Sequence, residues 1–359
     1  MPKWAAPGAA VPAWAMRVSL IVPAPFDTIS GGYGYDRRIV AGLRLAGHQV
    51  DVVELMGAFP LVDDLARGSA RAAWDRLPPD TKPVIDGLAL PAFAEPEDTI
   101  SARGSVGLIH HPVSLETGLN DAERAALADI ERRLFPRLTR LIVTSGTTAD
   151  TLVTHFHIPS DRVRIVVPGT DDASRCPGSS GPVREIVSIG TLIPRKGHDV
   201  LLRALAGSRD LDWHLTIVGS PDRDPPHARA LMALAGELQI ADRVRFAGEL
   251  VGEALETIWR GADLFALATN YEGYGMAIAE ALKRGLPVVV TAGGAAGALI
   301  TPDSGFVCPV GDHDLVSRAL RRLIFDRDAR LRMAEQAWQV GQTLPSWDAQ
   351  AAVFAEALG

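Results

Sequence analysis

Short apolar runs, each stopping on a small, polar or proline residue and leading into a helix-spaced segment, occur in two successive series along this chain. The first series comprises residues 17–22, 50–55, 106–109, 140–144 and 163–167; the second comprises 185–189, 215–220, 244–250, 263–267 and 287–291. Runs of this length and punctuation mark buried parallel strands, and the helical segments between them mark crossovers. The two series are separated by Ala173-Ser174-Arg175-Cys176-Pro177-Gly178-Ser179-Ser180-Gly181-Pro182, whose composition is that of a linker. A chain of 359 residues also exceeds what one core usually holds. The reading is an α/β protein of two doubly wound, Rossmann-like domains with parallel sheets. Residues 1–15 form an N-terminal tail, 16–172 the first domain, 173–184 the linker, 185–335 the second domain and 336–359 a closing helical segment.

Composition narrows the function classes. A net charge of −7 argues against a nucleic-acid partner. Cys176 and Cys308 form neither a disulfide framework nor a metal pattern, which suits a reducing compartment. No apolar run reaches the ~18 residues of a membrane span. The tail is rich in alanine and proline with a lone Lys3, unlike a signal peptide, so the expected location is the cytoplasm.

The chemistry concentrates at residues 268–282, ATNYEGYGMAIAEAL. A buried strand precedes this stretch, and an apolar helix pattern from Met276 follows it until Gly285-Leu286-Pro287. Gly273 and Gly275 flank Tyr274 in the turn and let a ligand approach the backbone. The free amides of the first helical turn then suit a phosphate. Glu272 and Glu280 lie eight residues apart. Along a helix that is about 12 Å, wider than the roughly 5–9.5 Å at which two carboxylates flank one glycosidic bond. Such a pair suits two grips on one elongated ligand, a sugar hydroxyl and a ribose hydroxyl. The alternative is two solvated helix glutamates.

Other strand ends converge with it. Gly190 closes the first strand of the second series, and Arg195-Lys196 follow on the loop into a helix from about residue 198 to 206, where two cations can hold a diphosphate. Gly219 closes the next strand, and Leu250-Val251 the one after. In the first series His110-His111-Pro112 end a strand, which faces a histidine to the ligand crevice. A loop carrying Gly31-Gly32-Tyr33-Gly34 precedes a helix expected over 36–46. With Glu54 it invites a dinucleotide-binding reading, but the glycines come too late after the strand and Arg37 takes the third glycine position.

Glu272-Gly273-Tyr274-Gly275 with Glu280 resembles the E-x7-E signature of retaining glycosyltransferases of the GT-B fold, family GT4, and the likeness extends over nearly the whole chain. It implies two domains facing a central cleft, the first for the acceptor and the second for the donor, with a last helix crossing back. The implied catalytic residues are His110, Glu272, Arg195 and Lys196, with His111 in reserve. The implied donor contacts are Gly31, Gly32, Gly190, Gly219, Leu250, Val251, Gly273, Tyr274, Gly275, Met276 and Glu280. The resemblance implies no metal or other cofactor, a nucleoside-diphosphate hexose as donor (UDP before GDP), and an acceptor hydroxyl on a sugar, lipid-linked glycan or small molecule. Where the family commonly has a glutamate after Gly293-Gly294, this chain has Ala295-Ala296. Other readings are a sugar-nucleotide 2-epimerase of the same fold, an NAD-dependent dehydrogenase and a non-catalytic partner subunit. Residues 132–140, basic with apolar residues between, fit either contact with an anionic membrane surface at the inner face or a helix end capped by cations.

Overall fold

The computed structural model describes residues 15–95, 98–116 and 118–359. Almost all of the N-terminal tail lies outside the described residues, as does Glu97, the first residue of a stretch, 97–103, whose spacing predicts an amphipathic element. Twelve strands form two six-stranded sheets. In the first sheet are β1 (Arg17–Pro23), β2 (Gln49–Leu55), β3 (Lys82–Asp86), β4 (Val106–Ile109), β5 (Arg140–Val143) and β6 (Val163–Ile165). In the second are β7 (Arg184–Ile189), β8 (Trp213–Val218), β9 (Val244–Phe246), β10 (Leu264–Leu267), β11 (Val288–Thr291) and β12 (Gly305–Cys308). All pairings are parallel; Val18, for example, lies opposite Val50 on one side and Lys82 on the other.

The order of the first sheet is β2-β1-β3-β4-β5-β6, and that of the second is β12-β11-β10-β7-β8-β9. The order therefore reverses between β1 and β3 in one lobe and between β7 and β10 in the other. At such a point neighbouring crossovers run to opposite faces, which leaves a crevice beyond the strands' C-terminal ends. Strands on both faces of each sheet are covered, so they read as continuous apolar runs; every residue of β4, β10 and β11 is buried.

Some elements differ from the sequence reading. The Gly31-Gly32-Tyr33-Gly34 segment is no loop but the first turn of the helix Gly31–Leu45, because the Ser30 side chain accepts from the Tyr33 amide and caps the end. Strand β3 was not expected, since Lys82-Pro83 interrupts its apolar pattern. After β5 the sequence pattern predicts a helix over 148–157; the structure forms it over Gly146–Thr154, started earlier by the Ser145 cap. The last helix, Trp347–Leu358, packs on Gly31–Leu45, where a Cβ on Gly42 would stand 2.4 Å from that of Ala351. Its Phe354, Ala357 and Leu358 join the first lobe's core.

The basic stretch 132–140 presents no apolar face to a membrane. Leu134, Phe135 and Leu138 are fully buried in the first lobe. Arg132 pairs with Asp129, Arg137 with Asp98, and Arg140 donates to the Ala357 carbonyl. Among the described residues no helix is long and apolar enough to cross a membrane.

Candidate active site

The loops beyond the two reversal points face each other. From the second lobe comes the turn between β10 and the helix Met276–Lys283. Gly275 takes φ +100°, a left-handed conformation that a side chain would strain, and so ends the turn and starts the helix. The helix begins at Met276, so Glu272 lies in the turn and not on the helix. The 12 Å helical separation expected for Glu272 and Glu280 does not apply. Backbone bonds hold the turn open: the Glu272 amide donates to Gly293 O at 3.1 Å, and the Ala295 amide donates to Glu272 O at 2.8 Å. Gly293-Gly294 and Ala295 therefore shape the turn with main-chain atoms.

Glu272 is buried beside Lys196, whose Nζ stands 2.6 Å from Oε1; the Thr269 hydroxyl donates to the same oxygen at 3.1 Å. Oε2 has no hydrogen bond among the described residues. Burial alone would raise this carboxyl, but Lys196 and then Arg195 hold it below the usual range. Arg195 donates to Tyr271 O at 2.9 Å, and its Nε lies 2.9 Å from Glu116 Oε1, on the first lobe. Both cations predicted for a diphosphate are thus paired, one within its lobe and one across the gap. Gly190 lies against the Lys196 stem, and the buried His198 shares a hydrogen bond with Gly190 O at 3.1 Å. Gly219 touches Gly190 backbone to backbone. Leu250 is half-buried and Val251 exposed, on the loop after β9.

Glu280, partly buried on its helix, has no side-chain hydrogen bond among the described residues. Burial pushes its carboxyl up to about 7; Asp171 and Glu256 add to the rise, while Arg284 and Arg38 oppose it. Tyr274 is buried, which raises its hydroxyl to about 12.

From the first lobe come the N-terminus of Gly31–Leu45 and the end of β4. Cβ atoms on Gly31 or Gly34 would stand 3.7 Å from the Met276 terminal methyl, so the two helix N-termini approach each other across the gap. Gly273 needs its bare Cα here, because a Cβ would fall 2.7 Å from His110 O. His110 and His111 both reach the gap with different partners. His110 Nε2 lies 3.0 Å from Asp36 Oδ1 and 3.5 Å from Asp86 Oδ2. His111 Nε2 lies 3.0 Å from Glu116 Oε2, and its ring centroid 5.5 Å from that of Tyr271.

Sequence reasoning missed Asp36, Asp86, Glu116 and Tyr271. Asp86 had a faint signal, the Val84-Ile85 run stopping before Gly87; Glu116 had none. Ligand-type atoms of Asp36, Asp86 and His110 lie within 4.8 Å of one another, a spacing a metal ion accepts. At 3.0 Å, however, His110 Nε2 and Asp36 Oδ1 are already bonded to each other.

Two facing sheets of parallel strands with a gap between their C-terminal ends define a protein of the GT-B fold. The family model described as glycosyl transferases group 1 matches residues 173–340, the stretch that holds the second lobe. A protein of Salinispora tropica named D-inositol 3-phosphate glycosyltransferase is 32% identical over 246 residues, 61% of this chain and 50% of that protein. One of the same name from Saccharomonospora viridis is 31% identical over 250 residues, 64% of this chain and 58% of the other. The chain thus spans about half the length of these curated relatives. Among solved structures, sucrose-phosphate synthase from Thermosynechococcus elongatus superposes with a TM-score of 0.80 at 20% identity, covering 95% of this chain and 98% of that one. Anabaena HepE in complex with UDP-glucose superposes with a TM-score of 0.73 at 16% identity, with the same coverage. At these identities the structures speak to fold alone.

Proposed function

We propose that this protein is a retaining glycosyltransferase that moves a hexose from a nucleoside diphosphate, UDP before GDP, to an acceptor hydroxyl. One observation carries the reading. At the two sheets' reversal points, a turn with two cations and a free helix N-terminus faces a histidine backed by carboxylates. As the bond from the sugar to the diphosphate breaks, negative charge grows on the leaving phosphate. Lys196 and the amides following Gly275 lie ready to meet that charge, and Arg195 joins them on release from Glu116.

Glu272 keeps Lys196 on Oε1 and offers Oε2 to a sugar hydroxyl. Glu280 faces the ribose, Leu250-Val251 the base through their backbone, and Gly31-Gly32 let the donor pass close to the first lobe. His110 contacts the sugar near the reacting carbon. No nucleophilic carboxylate is assigned, so attack comes from the same face as departure, through an ion-pair-like transition state. The protein's own cations and amides serve this chemistry with no metal or cofactor. Contact between the lobes excludes water from the donor. The relatives' names point to a phosphorylated polyol such as D-inositol 3-phosphate as the first acceptor to try.

The test is calorimetry with UDP and GDP, followed by a screen of nucleotide sugars with and without acceptor. Failure to bind either nucleotide at about millimolar concentration, roughly −4 kcal/mol, refutes the reading. A product epimerised at C2 from donor alone would replace it with the epimerase.

A further inference from the structure

His110 is held more tightly than a cleft histidine needs to be. Its Nε2 lies 3.0 Å from Asp36 Oδ1, and since a carboxylate only accepts, the proton of that bond sits on Nε2. A Cβ on Gly32 would stand 3.3 Å from Cδ2 and 3.5 Å from Nε2, so this edge of the ring is against the helix Gly31–Leu45. The Tyr35 ring meets it edge-on with centroids 5.3 Å apart. Behind, the Thr144 and Thr148 hydroxyls donate to the His110 carbonyl, each at 3.3 Å. Across the five-membered ring from the Cδ2–Nε2 edge is Nδ1, which has no hydrogen-bond partner among the described residues. The side chain keeps 20% of its surface exposed.

We propose that Asp36 is a positioning residue of this site: its carboxylate, seconded by Asp86, turns Nδ1 of His110 into the gap as a hydrogen-bond donor to the donor sugar. The inference rests on the reading of His110 as a sugar contact. Nε2 already carries a proton, so the neutral ring would present Nδ1 as a bare acceptor. Only the doubly protonated ring presents N–H there. Burial opposes that charge, but Asp36 and then Asp86 outweigh it and raise the histidine. Asp86 is itself pushed up to about 7 by burial and by Asp36, with His110 opposing. Among the described residues the charges acting on the ring are Asp36 and Asp86; Tyr35 meets the ring edge-on, and Thr144, Thr148 and Gly273 lie against the His110 carbonyl. Arg223 and Glu54 act on Tyr33, together with Asp86 and Asp36.

The experiment is an NMR titration of the full chain carrying ring-labelled histidine, with His110→Gln identifying the resonance. In the wild type the His110 midpoint should lie above the ordinary value of about 6.5. In Asp36→Asn it should fall by about one pH unit or more, as loss of a nearby opposite charge requires. Asp86→Asn should move it the same way by less. A wild-type midpoint at or below about 6.5 overturns the proposal without any variant, should Asp36→Asn fail to fold. An unmoved midpoint in a folded Asp36→Asn overturns it equally. These readings need no sugar transfer, so they stand apart from the fate of the proposed activity. Where transfer is measured, Asp36→Asn should keep its donor KM and lose kcat on the alkaline side. Each unit of lowered midpoint removes about tenfold of the charged form above it. A loss of kcat uniform across pH would mean that Asp36 only supports the fold.

Discussion

Replacing Lys196 by alanine tests the centre of the site. In the folded chain its Nζ stands 2.6 Å from Glu272 Oε1, and the two side chains are only 15% and 10% exposed. The variant leaves a buried carboxylate with a single neutral donor, the Thr269 hydroxyl. Removing one partner of a buried pair costs about 3–5 kcal/mol. The orphaned carboxyl can escape part of that by taking up a proton. From its ordinary value of 4.5, and at about 1.36 kcal/mol per pH unit, protonation costs about 3.4 kcal/mol at pH 7 and about 0.7 at pH 5. The loss in Lys196→Ala should therefore be about 2–3 kcal/mol smaller at pH 5 than at pH 7.

The sign follows from the wild type. Its Glu272 is depressed on folding, so it contributes stability above its unfolded value and loses it only as pH falls through the lower folded value. At about 2–4 °C per kcal/mol for a unit of this size, the melting temperature should drop by about 6–12 °C at pH 7 and by a few degrees at pH 5. Adding Glu272→Gln, which removes the orphaned charge, should recover most of the loss while UDP binding stays weak. An equal drop at both pH values, with no recovery in the double variant, would refute the buried-pair reasoning.

Two further outcomes follow from the geometry. Glu116→Gln removes the carboxylate that competes for Arg195 across the gap, so UDP should bind up to about tenfold tighter by calorimetry, a difference of about 1.4 kcal/mol; unchanged or weaker binding would show that Arg195 does not grip the nucleotide. Glu280→Gln should weaken UDP binding by about tenfold and yet raise the melting temperature at alkaline pH. The folded carboxyl is raised to about 7, so the wild type loses stability as pH climbs from the unfolded value through the folded one, and a neutral amide avoids that loss.

The strands that the sequence displayed well are those buried on both faces, such as Leu264–Leu267 and Val288–Thr291, because burial from both sides demands an unbroken apolar run. Lys82–Asp86 escaped because its first two residues are a charge and a proline. The glycine segment at 31–34 read as a loop because glycine disfavours helix interiors. The Ser30 cap and packing against Met276 outweigh that preference.

Local order along the chain determined the two wound sheets and the strand–turn–helix around Gly275. Those features arise between near neighbours, and apolar spacing records them directly. Which groups face one another was decided only by tertiary structure. Asp36 and His110 are separated by 74 residues, and Glu116 meets Arg195 only because one lobe's loop lies against the other's. Such pairings depend on the reversal of strand order in each sheet and on the seating of the lobes. No short stretch of sequence carries either.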